Sequence, residues 1–192
     1  MSVGDSQAAF RAAAALDGIQ LEPAKAPWIN QRGHFGLPER AVIAAAPLDD
    51  IFADLGGQTD VYKSKRTTAL QGDFYHEHSR TFIEIDEIQH FTTFRLRTLE
   101  RYPGSIPLGF HLEEYLALCR QHAPRADKYR VTKEAVGFGP KGRQRQRAYY
   151  DALRDLVVPC MGHPPLIRIP ILDGDGAAGY AANRDLVRSA LG

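Results

Sequence analysis

Hydrophobic residues recur along the chain with two different spacings, one helical and one extended. Apolar positions three and four residues apart predict helices over 6–16, 39–55 with a break near Pro47, 110–122, 144–158 and 181–191. Short apolar or alternating runs predict strands over 69–75, 81–87 and 166–172. Residues 17–38 contain three prolines, and we expect them to be irregular. Helices that alternate with a few strands indicate an α/β fold.

Length and composition indicate a single soluble domain. The 192 residues suit one domain, in which we expect 1–55 to be an N-terminal helical decoration, 60–172 the core and 173–192 a C-terminal helix. No apolar run approaches the roughly 20 residues that span a bilayer, and the amino end lacks the pattern of a secretory signal. Two cysteines cannot make a disulfide framework. We therefore expect a cytoplasmic protein without a membrane partner.

The formal net charge of +1 conceals a basic segment between residues 120 and 147. This segment holds nine Lys and Arg against two acidic residues, so its net charge is +7 and the remainder of the chain sums to −6. A local basic block on a near-neutral protein is typical of a surface that binds a polyanion. A solvated surface loop is the commoner explanation of such a block. Acidic catalytic residues beside the basic segment would favour polyanion binding over this explanation.

The predicted hairpin of 69–75 and 81–87 carries acidic residues among apolar ones. Side chains alternate faces along a strand, so Glu84 and Asp86 share one face while the neighbouring isoleucines take the other. If the loop is the four residues 77–80, paired residue numbers sum to 157 and Asp73 lies opposite Glu84, with Cβ atoms about 5 Å apart. A loop of odd length would turn Asp73 to the other face.

Three carboxylates on one face repel each other unless water or a cation meets them. A divalent metal ion removes this penalty, and Mg²⁺ or Mn²⁺ suits the oxygen ligands that Asp73, Glu84 and Asp86 would supply. The alternative is a solvated face of an edge strand. That alternative explains poorly why Gln89 and His90 gather at the same end of the hairpin, so we predict a Mg²⁺ or Mn²⁺ site.

Four short motifs follow one another along the chain between residues 73 and 170. They are Asp73-Phe74, Glu84-Ile85-Asp86-Glu87-Ile88-Gln89-His90, Tyr150-Asp151-Ala152-Leu153-Arg154-Asp155 and Leu166-Ile167-Arg168-Ile169-Pro170. Through them the sequence resembles the PD-(D/E)XK nuclease superfamily, and more closely its very-short-patch-repair endonuclease-like and DUF559-like branch. The resemblance covers about 71–171, with an insertion between His90 and Gly142. The chain has Gly72 in place of Pro, Asp86 where many members carry the catalytic Lys, and Glu87 in place of the usual Gly.

The resemblance implies a restriction-endonuclease-like fold, in which a short mixed sheet is flanked by helices and the acids cluster at one end. It also implies metal-dependent hydrolysis of phosphodiester bonds in DNA, in repair, restriction or phage defence. Asp73, Glu84 and Asp86 would hold one or two metal ions as catalytic residues. Gln89 or His90 would orient the attacking water or the leaving oxygen.

Basic residues near the predicted helix 144–158 supply candidate phosphate contacts. Arg143, Arg147 and Arg154 share roughly one helix face, and Asp151 lies between them. We expect Asp151 and Arg154 to form a structural ion pair that fixes this helix against the sheet. The predicted nucleic-acid contacts are Lys128, Arg130, Lys141, Arg143, Arg145 and Arg147.

Two other functions stay open at the level of sequence. One is a catalytically silent nuclease fold that binds nucleic acid or protein, because no Lys completes the acid cluster. The other is a metal enzyme that acts on small molecules through His76, His78 and His90. A homodimer would be reasonable because cutting two strands usually needs two active sites, although no zipper or symmetric patch is visible. The sequence does not separate DNA from RNA.

Overall fold

The computed structural model describes residues 4–192, so residues 1–3 of the predicted domain lie outside the described part of the chain. The helices are α1 (Asp5–Leu16), α2 (Ala45–Asp54), α3 (Thr59–Ser64), α4 (Thr93–Leu99), α5 (Leu112–Ala126), α6 (Arg143–Cys160) and α7 (Gly176–Leu191). The strands are β1 (Glu22–Asn30), β2 (Ala69–His76), β3 (Thr81–Glu87) and β4 (Ile167–Ile171). No helix within 4–192 has the length and apolar character to cross a bilayer. The predicted α/β class, with a mixed sheet flanked by helices, is confirmed.

The four strands form one mixed sheet in the order β1-β2-β3-β4. β1 and β3 pair with β2 in antiparallel fashion, and β4 lies parallel to β3. His76 pairs with Thr81 and Phe74 with Ile83, which confirms the predicted four-residue loop and the register that follows from it. Because parallel strands need a crossover connection, the chain between β3 and β4 carries α4, α5 and α6.

The two faces of the sheet are covered by different helices. α1 and α7 cover one face, where Phe10 and Tyr180 join the apolar side chains Ile83, Ile85 and Ile169 in one buried cluster. α6 covers the other face and forms the largest cluster together with α2 and α3. The alternation along β3 therefore turns Glu84 and Asp86 toward α6 rather than toward water, and both are buried.

The segment between β3 and α6 is a packed part of the domain. It begins with a 3-10 turn at Ile88–His90 and continues into α4 and α5. Phe91, Leu99, Tyr115, Leu116 and Cys119 from this segment form a third buried cluster. Thr92 begins α4 by accepting a hydrogen bond from the backbone N–H of Arg95, the usual role of an N-cap residue.

The expectation of irregular structure over 17–38 is wrong, because β1 lies inside this segment. β1 contains Pro23 and Pro27, and proline is tolerated on an edge strand, where one side of the backbone needs no partner. Residues 1–55 are therefore not only a helical decoration, since they supply a strand of the sheet. The predicted helix 39–55 is a 3-10 turn at Glu39–Ala44 followed by α2, and its break falls at Ala45 rather than at Pro47.

Candidate active site

An open cleft of about 190 Å³ lies between the β2–β3 hairpin and the first turns of α6. The hairpin and the residues that follow it supply acids and a histidine, and α6 supplies three arginines. Two glutamines complete the walls. The lining residues are Gln7, Gln71, Asp73, Glu84, Ile85, His90, Arg143, Arg147, Tyr150, Asp151 and Arg154.

Asp73 and Glu84 come together in this cleft, as the hairpin register predicts. The backbone N–H of Asp73 donates to Glu84 Oε1 at 3.2 Å, and the backbone N–H of Ile85 donates to Asp73 Oδ2 at 2.7 Å. Gly72 makes room for this arrangement, because a Cβ atom there would lie 2.6 Å from Glu84 Oε1. Each carboxylate is thus placed by backbone groups of the neighbouring strand.

The two acids share an environment that disfavours their negative charges. Burial, and next the neighbouring Glu84 carboxylate, raise the pKa of Asp73 to about 7. Burial also raises the pKa of Glu84, although the Arg154 guanidinium, with Nε 3.4 Å from Oε1, opposes this effect. Strongly shifted acids in a cleft are typical of functional sites, and a cation between them would relieve the repulsion.

Asp86 does not join Asp73 and Glu84 at the cleft. Its oxygens accept hydrogen bonds from Arg168 Nη1 at 2.8 and 3.0 Å and from the Tyr115 hydroxyl at 3.1 Å. Only 1% of Asp86 is exposed. The predicted metal-binding and catalytic roles of Asp86 are therefore not retained, because a buried arginine from β4 already neutralises it.

Arg168 is the centre of a larger group of buried charges, which we call the buried charge network. Its Nε donates to Asp155 Oδ1 at 2.6 Å, and Arg95 Nη2 donates to the other oxygen of Asp155 at 2.6 Å. Three carboxylates thus face two guanidiniums, and a protonated His90 makes the network neutral. The members are Asp86, His90, Arg95, Asp151, Asp155 and Arg168.

His90 connects the buried charge network to the cleft. Its Nδ1 lies 3.1 Å from Asp151 Oδ2 and 3.3 Å from Asp86 Oδ1. Burial opposes protonation of the ring, but the two carboxylates outweigh it and the pKa of His90 is raised. Burial would likewise raise the pKa of Asp151, yet His90 and Arg168 hold that pKa well below its usual value. His90 is therefore held through Nδ1 between two carboxylates, which favour the protonated form of its ring.

Gln89, predicted to act beside His90, lies outside the cleft. Its side chain lines a separate cavity on the far side of the 3-10 turn, and its Nε2 donates to the Glu87 carboxylate. Gln89 touches the cleft residues only through its backbone, because its carbonyl accepts a hydrogen bond from Arg147 Nη1 at 3.1 Å.

Three arginines of α6 line the cleft, as their shared helix face predicts. Arg154 lies beside Glu84 and donates to the Gln71 carbonyl at 2.8 Å. The expected ion pair between Arg154 and Asp151 is long, at 3.9 Å, because Asp151 is held more closely by His90. Arg154 thus belongs to the cleft rather than to a purely structural pair. Burial lowers the pKa of the Arg147 guanidinium.

The remaining basic residues of the prediction do not enter the cleft. Arg145 donates to three backbone carbonyls at distances between 2.6 and 3.1 Å, so it fastens the loop before α6 to the end of α2. Lys128, Arg130 and Lys141 are exposed on the surface outside the cleft.

The histidines of the small-molecule hypothesis are not brought together. His76 and His78 line a different cavity from the one that His90 lines. Among residues 4–192, no three or more His, Cys, Asp and Glu side chains come together in an arrangement that could hold a metal ion. A metal ion in the cleft would therefore need ligands beyond these residue types.

Gln7 and Gln71 are cleft residues that the sequence pattern did not single out. The amide oxygen Oε1 of Gln7 is buried and has no hydrogen-bond partner. Gln7 lines the same cleft as Asp73 and Glu84, so an amide joins two carboxylates in the walls of the cleft. This set of oxygens fits a hard divalent cation. No motif marks Gln7, because its place depends on how α1 packs on the sheet.

Comparison with known proteins identifies one family. Residues 50–188 match a family model described as "Family of unknown function (DUF7255)". No curated protein and no solved structure matches the chain.

Proposed function

The chain belongs to the DUF7255 family, and we propose that this member is a metal-dependent nuclease that hydrolyses phosphodiester bonds in DNA. The observation that carries the proposal is the pairing of Asp73 and Glu84 in a cleft that α6 lines with three arginines. The cleft thus combines two buried carboxylates, which a metal ion would stabilise, with three guanidiniums, which can bind a phosphate. The resemblance of four motifs to those of the PD-(D/E)XK superfamily supports the same reaction.

Asp73, Glu84 and the Gln7 amide oxygen would hold the Mg²⁺ or Mn²⁺ ion. Two carboxylates with raised pKa values and one unpartnered buried oxygen fit the preference of these ions for oxygen ligands. When bound, such an ion polarises the scissile phosphate and lowers the pKa of an attacking water.

The arginines of α6 bind the negative charge of the nucleic-acid backbone. Arg143 and Arg147 lie one helical turn apart and both line the cleft. Arg154 stands deeper, against Glu84. A guanidinium offers two parallel N–H donors to a phosphate, so these side chains orient the strand and stabilise the charge that develops on the phosphate.

His90 holds a proton where a leaving oxygen can use it. Asp151 and Asp86 fix Nδ1 and raise the pKa of the ring, which favours the form with a proton on Nε2 as well. A histidine in this state donates the proton to an alkoxide as the P–O bond breaks. Of the two candidates Gln89 and His90, we assign this role to His90.

A second function is favoured by the position of Asp86. This residue stands where many PD-(D/E)XK members carry the catalytic Lys, and here it is bound to Arg168 inside the protein. The cleft therefore has no lysine to activate a water, and a nucleic-acid-binding module without hydrolysis is the alternative.

Cleavage of supercoiled plasmid separates the two functions. We expect wild-type protein to nick plasmid with Mg²⁺ or Mn²⁺, and Asp73→Asn and Glu84→Gln to lose at least 100-fold in rate, within the range set by loss of a transition-state contact. Asp185→Asn is the matched control, because Asp185 is exposed on α7. Plasmid that is bound but not nicked with either metal ion would overturn hydrolysis and favour the binding module.

Calorimetry with Mn²⁺ tests the ligand set independently of cleavage. We expect wild-type protein and Asp185→Asn to bind Mn²⁺ alike, and Asp73→Asn to bind it at least ten-fold more weakly. Gln7→Ala is expected to weaken Mn²⁺ by a smaller factor, because an amide oxygen carries no net charge. Equal Mn²⁺ affinity of all four proteins would show that the cleft is not a metal site.

A further inference from the structure

A second cavity, of about 240 Å³, lies beside the candidate active site at the ends of β3 and β4. Its floor includes the apolar side chains Ile171 and Leu172, and the half-buried Tyr129 forms one wall. The other walls carry Glu87, Gln89 and Asp173. Sites for drug-sized ligands measure roughly 300–1,000 Å³, so this cavity of about 240 Å³ suits a smaller group, such as one ring system.

The second cavity and the cleft are adjacent compartments. Gln89 lines the second cavity, and the next residue, His90, lines the cleft. On α1, Ser6 lines the second cavity and the next residue, Gln7, lines the cleft. Arg147 stands between the two compartments. Its Nη1 donates to the Gln89 carbonyl at 3.1 Å, and its guanidinium carbon lies 5.7 Å from the centre of the Tyr129 ring.

The second cavity offers carboxylate and amide oxygens as hydrogen-bond acceptors, beside the guanidinium of the exposed Arg125. Gln89 Nε2 already donates to the Glu87 carboxylate, which leaves the Gln89 amide oxygen and the second Glu87 oxygen without that donor. Asp173 adds another carboxylate. Acceptors of this kind pair with the exocyclic amino groups of cytosine, adenine and guanine, and thymine has no such group.

We propose that the second cavity receives an unpaired nucleobase of the DNA strand whose phosphate lies on Arg147. The base packs against Tyr129 and donates its amino group to Glu87 or Asp173. Aromatic walls beside a cationic groove are the usual means of binding unpaired strands. The inference rests on the proposed nuclease function and specifies its substrate as DNA with an unpaired, amino-bearing nucleotide beside the scissile bond.

Binding of fluorescent single strands without metal ion tests the inference. Anisotropy is measured in EDTA with labelled oligo(dC), oligo(dA) and oligo(dT) of one length, so hydrolysis does not contribute. We expect wild-type protein to bind oligo(dC) and oligo(dA) at least five-fold more tightly than oligo(dT). Tyr129→Ala is expected to weaken oligo(dC) binding about 5- to 100-fold, the range for loss of one stacked base.

Three further variants distinguish base recognition from a general loss of fold or charge. Tyr129→Phe keeps the ring and is expected to bind like wild type. Glu87→Gln and Asp173→Asn are expected to reduce the preference over oligo(dT), because an amide presents one acceptor where a carboxylate presents two. Circular dichroism melts show whether each variant is folded. Oligo(dC) binding by Tyr129→Ala is compared with that of wild type only if this variant is folded.

The outcomes separate this inference from the proposed function. Unchanged oligo(dC) binding by folded Tyr129→Ala, together with plasmid nicking that depends on Asp73, would overturn the base site and leave the nuclease intact. A loss of binding in Tyr129→Ala without any nicking by wild type would support the base site in a protein that is not a nuclease. Wild-type protein that binds none of the strands would overturn the base site, while nicking of plasmid would still decide the nuclease function.

Discussion

Replacement of Arg168 is the sharpest test of how the buried charge network holds the site together. Arg168→Met keeps an unbranched side chain of similar length and removes the charge that lies 2.8 Å from Asp86 and 2.6 Å from Asp155. Removing one partner of a buried ion pair costs about 3–5 kcal/mol. In a domain of 150–250 residues each kcal/mol lowers Tm by about 2–4 °C, so we expect Arg168→Met to melt about 6–20 °C below wild type.

The control is an exposed pair of the same chemistry. Arg184 lies 2.8 Å from Asp17, but half of its side chain is exposed. Surface pairs contribute about 0–1 kcal/mol, so Arg184→Ala is expected to melt within about 4 °C of wild type. Circular dichroism melts of the purified proteins measure both values.

The pH dependence of the Tm decrease in Arg168→Met shows whether this decrease is electrostatic. In Arg168→Met the buried carboxylates lose their cation, and protonation removes the charge that burial penalises. The Tm difference from wild type is therefore expected to shrink between about pH 8 and about pH 5. A variant that melts with wild type, or whose deficit is equal at both pH values, would refute the electrostatic explanation.

Three further predictions concern single side chains. Gly72→Ala is expected to displace the Glu84 carboxylate, because its Cβ would lie 2.6 Å from Oε1, and so to weaken Mn²⁺ binding in calorimetry, whereas Gly104→Ala meets nothing within 4 Å and should bind as wild type does. Because the pKa of Asp73 is raised to about 7, the folded state holds this proton more tightly than the unfolded state and stability falls as pH rises through that value. Asp73→Asn is therefore expected to melt above wild type at about pH 8 and together with it at about pH 4, and the reverse order would contradict the shift. Cys119 is buried, with its pKa raised to about 12, so iodoacetamide followed by peptide mass spectrometry should find native protein labelled at Cys160 and not at Cys119.

The hairpin was predictable from sequence because two independent patterns agree there. The alternation of acids and isoleucines fixes which residues share a face, and the even loop fixes the register. Asp73 and Glu84 therefore meet as expected. The arginines of α6 were predictable for a similar reason, since helical spacing alone places Arg143 and Arg147 on one side.

The partners of the buried acids were not predictable from sequence, because tertiary contacts between distant parts of the chain bring them together. Arg168 reaches Asp86 across 82 residues of chain, and only the parallel pairing of β3 with β4 brings them together. The strand pattern predicts water or a metal ion beside the adjacent acids, whereas in the structure a buried arginine meets Asp86. β1 was not predicted because its prolines are unusual in a strand. α3 and α4, with 6 and 7 residues, are too short to show a helical period.

The ion pair between Arg95 and Asp155 has a consequence for the evolution of the family. α4 lies within the long connection between β3 and α6, and its Arg95 is one of the two guanidiniums that meet Asp155. A relative that shortened this connection would lose one counter-charge at the middle of α6. We therefore expect the two positions to covary, so that natural sequences with a brief connection carry an uncharged residue in place of Asp155.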